Sequence, residues 1–146
     1  MSARHPDARV ARVATMFESL APADLARLHE FYADDARFKD PFNDVRGVPA
    51  IRHIFEHMFA SLDEPRFEVL DIVADGDQCF LTWDMHFRMK RFSREPQRIH
   101  GGSHLRFGPD GRVVLHRDYW DAAEELYEKL PLVGGLMRWL KGRANG

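Results

Sequence analysis

The apolar residues of this chain change period once, near Arg66, and that single change restricts the fold more than any other feature of the sequence. Upstream of it, Val10, Val13, Ala14, Phe17 and Leu20 recur at helical spacing, and Pro22 opens a second helical run carrying Leu25, Leu28, Phe31 and Tyr32. A third helix is predicted after Gly47, with Pro49 in its first turn and Ile51, Ile54, Phe55, Met58 and Leu62 along one side. Downstream the period becomes two. Strands are predicted over about 66–75, 78–92, 97–108 and 112–120, separated by Asp75-Gly76, by Ser93 to Pro96 and by Pro109-Asp110-Gly111. Such short, turn-rich links describe an antiparallel meander. Helices first and paired strands afterwards is an α+β order, and a curved sheet wrapped around helices leaves one open mouth for a ligand. A last amphipathic segment, with Leu126, Leu130, Val133, Leu136, Met137, Trp139 and Leu140 interrupted by Pro131 and Gly134-Gly135, reads as a helical extension over 121–146 of one domain spanning 1–146.

Composition narrows the partners. A chain of 146 residues, 45% of them hydrophobic, has room for one sizeable core and no second domain. Its 21 basic and 23 acidic residues nearly cancel, so the electrostatic footprint of a nucleic-acid binder is missing. Cys79 is the single cysteine and has no intrachain partner for a disulfide. The start Met1-Ser2-Ala3-Arg4-His5-Pro6-Asp7 lacks the apolar run of a signal peptide, and no stretch is long enough to insert stably in a bilayer, which together point to a cytoplasmic protein.

Within Phe31-Tyr32-Ala33-Asp34-Asp35-Ala36-Arg37-Phe38-Lys39-Asp40-Pro41 a helix ends, a strand begins, and a carboxylate precedes a proline that holds it on extended backbone. This segment resembles the signature of the cone-shaped fold shared by nuclear transport factor 2, ketosteroid isomerase and the SnoaL-like polyketide cyclases. The resemblance covers nearly the whole chain and implies a curved antiparallel sheet wrapped around three N-terminal helices. In ketosteroid isomerase the Asp at the position of Asp40 is the proton-shuttling base. The run Gly101-Gly102-Ser103-His104-Leu105-Arg106-Phe107 is similar to that enzyme's Asp-His-Phe-Arg-Phe, which puts Ser103 where an oxyanion-stabilising Asp stands. By the same likeness His116, Asp118 and Trp120 face inward on the last strand. Met16 takes the place of the isomerase's donor tyrosine and cannot donate, which counts against steroid isomerisation by that route. The resemblance further implies a homodimer formed through the outer sheet face, where Thr82, Asp84, His86, His100 and His104 project.

Strand alternation places Leu81, Trp83, Met85, Phe87 and Met89 on one face and Thr82, Asp84, His86 and Arg88 on the other, with the apolar set inward. The candidate catalytic residues are therefore Asp40, His116 and Asp118, and the candidate binding residues are Met16, Phe42, Trp83, Ser103 and Trp120. Each has a plainer reading. Asp40 also suits a turn in Asp40-Pro41-Phe42-Asn43-Asp44, Asp118 a structural ion pair with Arg37, Arg46 or Arg117, and His116 a hydrogen bond to backbone. A carboxylate shielded by aromatic rings becomes a competent base near neutral pH, so Asp40 would abstract an acidic C–H proton from an apolar carbonyl or polyketide-like ligand. No cofactor is implied, and no metal. His53 and His57 lie four apart on a helix without a convincing third ligand, whereas His100 and His104, four apart on a strand, stand about 13 Å from each other. Two functions remain open: a proton-transfer enzyme of isomerase, dehydratase or cyclase type, which calls for an enclosed pocket with converging acids, and a non-catalytic, dimeric ligand-binding or adaptor module, which calls for a narrow or filled cavity.

Overall fold

The computed structural model describes residues 5–90 and 94–125. Helix α1 (Ala8–Ser19) starts at Asp7, whose carboxylate accepts from the Arg9 amide at 2.9 Å and thereby satisfies one of the helix's unpaired N–H groups. It buries Val10, Val13, Ala14, Met16 and Phe17. A 3-10 helix (Pro22–Glu30) follows, opened by Pro22 and by Asp24 reaching back to the Ala21 amide at 2.8 Å. Residues three apart eclipse in a 3-10 helix, so Leu25 and Leu28 fall on one buried side. Tyr32 is not part of that helix: it opens strand β1 (Tyr32–Lys39) and is fully buried. After the short strand β2 (Asp44–Arg46), Gly47 at φ +94 turns the chain into α2 (Val48–Ser61), which buries Ile51 and Phe55.

Strands β3 (Leu62–Asp75), β4 (Gln78–Met89), β5 (Pro96–Phe107) and β6 (Val113–Tyr119) form the expected meander, each antiparallel to the next. The order across the sheet is β2-β1-β6-β5-β4-β3, and β1 lies parallel to β6. The sheet is thus mixed at this one seam, where β1 reaches β6 from the far end of the sequence. Two places in β3 set two residues against one on β4: Glu64-Pro65 opposite Phe87, and Leu70-Asp71 opposite Thr82. Bulges of this kind bend a strand. At the second, the Val69 amide bonds the Glu18 carboxylate of α1 at 2.9 Å and the Asp71 amide bonds Thr82 Oγ1 at 3.1 Å. The bend and the helix under it are therefore tied together.

The predicted inward face of β4 is confirmed: Leu81, Trp83, Met85 and Phe87 are buried against Phe17, Ile51 and Phe55. Gly101 and Gly102 in β5 allow close approach of side chains from β4. A Cβ on Gly101 would stand 2.7 Å from the Trp83 ring on the inner face, and one on Gly102 would stand 2.7 Å from the Phe80 ring on the outer. Helix α3 (Ala122–Glu125) begins the C-terminal segment, whose expected apolar residues from Leu126 onward lie outside the described residues.

Gly101→Ala is expected to lower stability by about 1–3 kcal/mol, the range for an overpacked core, because the indole beside it is held by the Phe67 ring at 5.6 Å and by its bond to Ser103. Urea unfolding of the variant against the unaltered chain measures this; an unchanged midpoint would show that Trp83 has space to move.

Candidate functional site

Antiparallel pairing of β5 with β6 sets Ser103 directly opposite Asp118 and Leu105 opposite His116. His116 and Asp118 thus both point inward, two residues apart on one strand. Ser103 Oγ lies 2.5 Å from Asp118 Oδ1, and His116 Nε2 lies 2.6 Å from the same oxygen. On the far side of the imidazole, Nδ1 is 2.7 Å from the hydroxyl of Tyr32. One strand over, the Trp83 indole Nε1 donates to Ser103 Oγ at 2.9 Å.

The direction of these bonds follows from their ends. An indole N–H only donates, so Ser103 Oγ accepts from Trp83 and turns its own proton to Asp118. Asp118 as a carboxylate only accepts, so His116 donates from Nε2, and in the neutral ring Nδ1 is then the acceptor for the Tyr32 hydroxyl. Two arms, Trp83 to Ser103 and Tyr32 to His116, converge on Oδ1 of one carboxylate. Its second oxygen, Oδ2, takes no hydrogen bond from a described residue, and no fully buried side-chain oxygen or nitrogen there lacks a partner. Oδ2 is therefore the face of the site that meets open space, consistent with an Asp118 side chain 17% exposed beside a His116 side chain 4% exposed.

Aromatic rings close around this centre. His116 stacks on Tyr32 (14° between planes, centroids 5.9 Å), meets Phe17 edge-on at 5.3 Å and tilts against Phe38 at 4.5 Å. Phe17, Phe55, Phe67, Val69 and Trp83 line a cleft with Ser103, His116 and Asp118. With its mouth included the cleft measures about 330 Å³, but only about 20 Å³ admits the centre of a water molecule. That is room for roughly one water. Burial raises the Tyr32 phenol well above its ordinary pKa of 10.0, and the charge of Asp118 adds to the shift. The phenol is thereby kept as a donor to His116.

The expected residues divide cleanly. Trp83, Ser103, His116 and Asp118 come together in the cleft. Asp40 does not join them: its Oδ1 accepts from the Phe42 amide at 2.8 Å, the Asn43 amide at 2.7 Å and the Asn43 side chain at 3.0 Å, so it organises the turn from β1 to β2. Met16 is buried in the core, and the neighbouring Phe17 is the residue that α1 presents to the cleft. Phe42 is half exposed and meets Trp120 edge-on at 5.7 Å, away from the lining; Trp120 packs beside Gly101. Asp118 pairs with His116 rather than with an arginine, since Arg37 engages Asp44 and Arg117 lies over the Tyr119 ring. Tyr32 is the participant that helical periodicity concealed. Its spacing continues the helical stripe of Leu25 and Leu28, and the parallel pairing that carries β1 onto β6 leaves no local pattern.

The fold and cleft together can be set beside known proteins. Residues 13–116 match the SnoaL-like domain. The chain belongs to the SnoaL-like family. A putative SnoaL-like polyketide cyclase from Jannaschia sp. CCS1 is 15% identical, with 85% of this chain and 94% of that one aligned at a TM-score of 0.71. A protein of ketosteroid isomerase-like fold from Catenulispora acidiphila, solved with trimethylamine, is 16% identical over 82% and 90% of the two chains (TM-score 0.69). An LEH-like epoxide hydrolase from M. tuberculosis is 16% identical over 91% of each (TM-score 0.68). At these identities the likeness concerns the cone fold. No curated protein sequence matches this SnoaL-like chain.

Because the Tyr32 pKa is raised in the folded state, the folded protein binds that proton more tightly than the unfolded chain does. Its contribution to stability is complete below about pH 10 and is lost as pH rises from there toward the folded value. Stability measured by urea unfolding across the alkaline range is expected to fall above about pH 10, and Tyr32→Phe is expected to fall less steeply there. Parallel alkaline profiles for the two proteins would contradict the assignment.

Proposed function

We propose that this SnoaL-like protein binds an apolar carbonyl compound in the cleft and moves a proton on it, with Asp118 as the base. The observation that carries the reading is the convergence of His116 and Ser103 on Oδ1 of Asp118, which leaves Oδ2 turned to open space beside aromatic walls. A C–H proton next to the carbonyl passes to Oδ2, and the C–H electron pair moves into an enolate. Return of the proton to another carbon isomerises the ligand; loss of a leaving group dehydrates it; attack of the enolate carbon on a second carbonyl cyclises it. His116 and Tyr32 hold the carboxylate in one orientation throughout. Asp40, the base suggested by resemblance to ketosteroid isomerase, is given the turn instead, because its carboxylate is taken up by Phe42 and Asn43. The polyketide cyclase among the similar structures agrees with an enolisable ligand. Epoxide hydrolysis is less well supported, since no arginine pairs with Asp118 among the described residues.

The small free volume favours a second reading, a ligand-binding or adaptor module without turnover. On the outer face of the sheet Val73, Phe80 and Tyr119 are exposed at 70%, 40% and 46%, an apolar surface suited to a second copy of the chain.

The two readings separate in heavy water. Cyclic enones and 1,3-dicarbonyl compounds that raise the melting temperature are incubated with the protein, and deuterium uptake at the carbon next to the carbonyl is followed by NMR. Uptake is expected with the unaltered chain, to fall about 10²–10⁴-fold in Asp118→Asn, and to change less than about tenfold in Asp40→Asn. Binding without exchange would establish the module; full exchange in Asp118→Asn would remove Asp118 as the base.

A further inference from the structure

The outer face of the sheet carries a second group of chemically competent side chains, unconnected with the cleft. Glu68 on β3 pairs directly across from Asp84 on β4, and Asp84 directly across from His100 on β5, so the three form one row over three adjacent strands. His86, two residues along β4, projects from the same face. His86 Nε2 lies 3.2 Å from Glu68 Oε1, and donor atoms of Glu68, Asp84 and His86 all fall within 4.8 Å of one another.

We propose that Glu68, Asp84 and His86 bind one divalent transition-metal cation of the zinc type. Three lines of chemistry support this. Zinc takes imidazole nitrogen and carboxylate oxygen at about 2.0–2.2 Å in a tetrahedron, whose ligand atoms then stand about 3.3 Å apart. The Glu68–His86 separation of 3.2 Å already matches such an edge. Next, two carboxylates placed directly opposite on neighbouring strands repel each other. Asp84 meets Arg98 at only 3.7 Å and His100 at 2.7 Å, and Glu68 meets His86; a dication would neutralise both acids at once. Finally, the ligands stand on paired strands, so little ordering is needed to assemble them, and Asp84, whose side chain is 13% exposed, is already held in place. Glu68, at 51%, and His86, at 30%, leave the fourth position to water.

The exposed helical pair His53 and His57 on α2 is the natural competitor and serves as the control. The metal-stripped full-length protein is titrated with Zn²⁺ against a coloured chelator, and Co²⁺ is added separately to read tetrahedral geometry from its visible absorption. One equivalent per chain is expected, with affinity reduced at least about tenfold in Glu68→Gln and in His86→Ala and unchanged in His57→Ala. These are surface positions, and matching far-UV circular dichroism spectra verify that the variants fold. The proposal is overturned if the unaltered chain takes up no ion, if the Glu68→Gln/His86→Ala double variant binds as tightly, or if His57→Ala abolishes binding.

Discussion

A buried histidine packed against three aromatic rings requires a partner for each ring nitrogen, and meeting that requirement joins the parts of this protein. His116 is 3% exposed, between Phe17 of α1, Tyr32 and Phe38 of β1, and its neighbours on β6. Leaving one buried polar group unpaired costs about 1–3 kcal/mol. Tyr32 and Asp118 supply the two partners, one from each side of the only parallel seam among the described strands. Local propensity has no part in bringing β1 to β6, so the buried bond between Tyr32 and His116 is among the contacts that make this register preferable to a slipped one.

The same bonds give the cleft its chemical character. Trp83 and Tyr32 each bring a donor that is itself buried, and each acts through one intermediary on a single oxygen of Asp118. A carboxylate held by two donors on one oxygen is oriented with little freedom left to lose, which is what a group that must meet a bound molecule needs. Gly101 serves this arrangement at a distance, since the indole of Trp83 lies where a Cβ would be. The narrow free volume means that a ligand larger than water must displace aromatic side chains, or enter with only its reacting end.

Much of this was legible from residue patterns. The switch of period near Arg66 located the meander, alternation along β4 put Trp83 on the inner face, and likeness to ketosteroid isomerase put His116 and Asp118 there. Likeness to ketosteroid isomerase placed Ser103 inward as well. What escaped was non-local. Tyr32 shares a helical stripe with Leu25 and Leu28, and only the seam with β6 shows it to be the first residue of a strand. Asp40 looked like a base because of its place before Pro41, yet the same Asp-Pro dipeptide is a good start for a turn, and the amides of Phe42 and Asn43 decide between the two. Met16 and Phe17 are adjacent on α1, and a rotation of one residue about the helix axis determines which meets the cleft. The row Glu68, Asp84 and His100 likewise depends on strand register, which alternation does not supply.

The character of the cleft depends on the direction of the bonds that meet at Asp118, and the ring nitrogens of His116 report it. Long-range proton–nitrogen correlation NMR at neutral pH, with His116→Gln to assign the signals, locates the ring protons. A proton is expected on Nε2, donated to Asp118, and none on Nδ1, which accepts from Tyr32. A proton found on Nδ1 would contradict this direction, because Tyr32 would then be the acceptor and the bond between Tyr32 and His116 would be reversed.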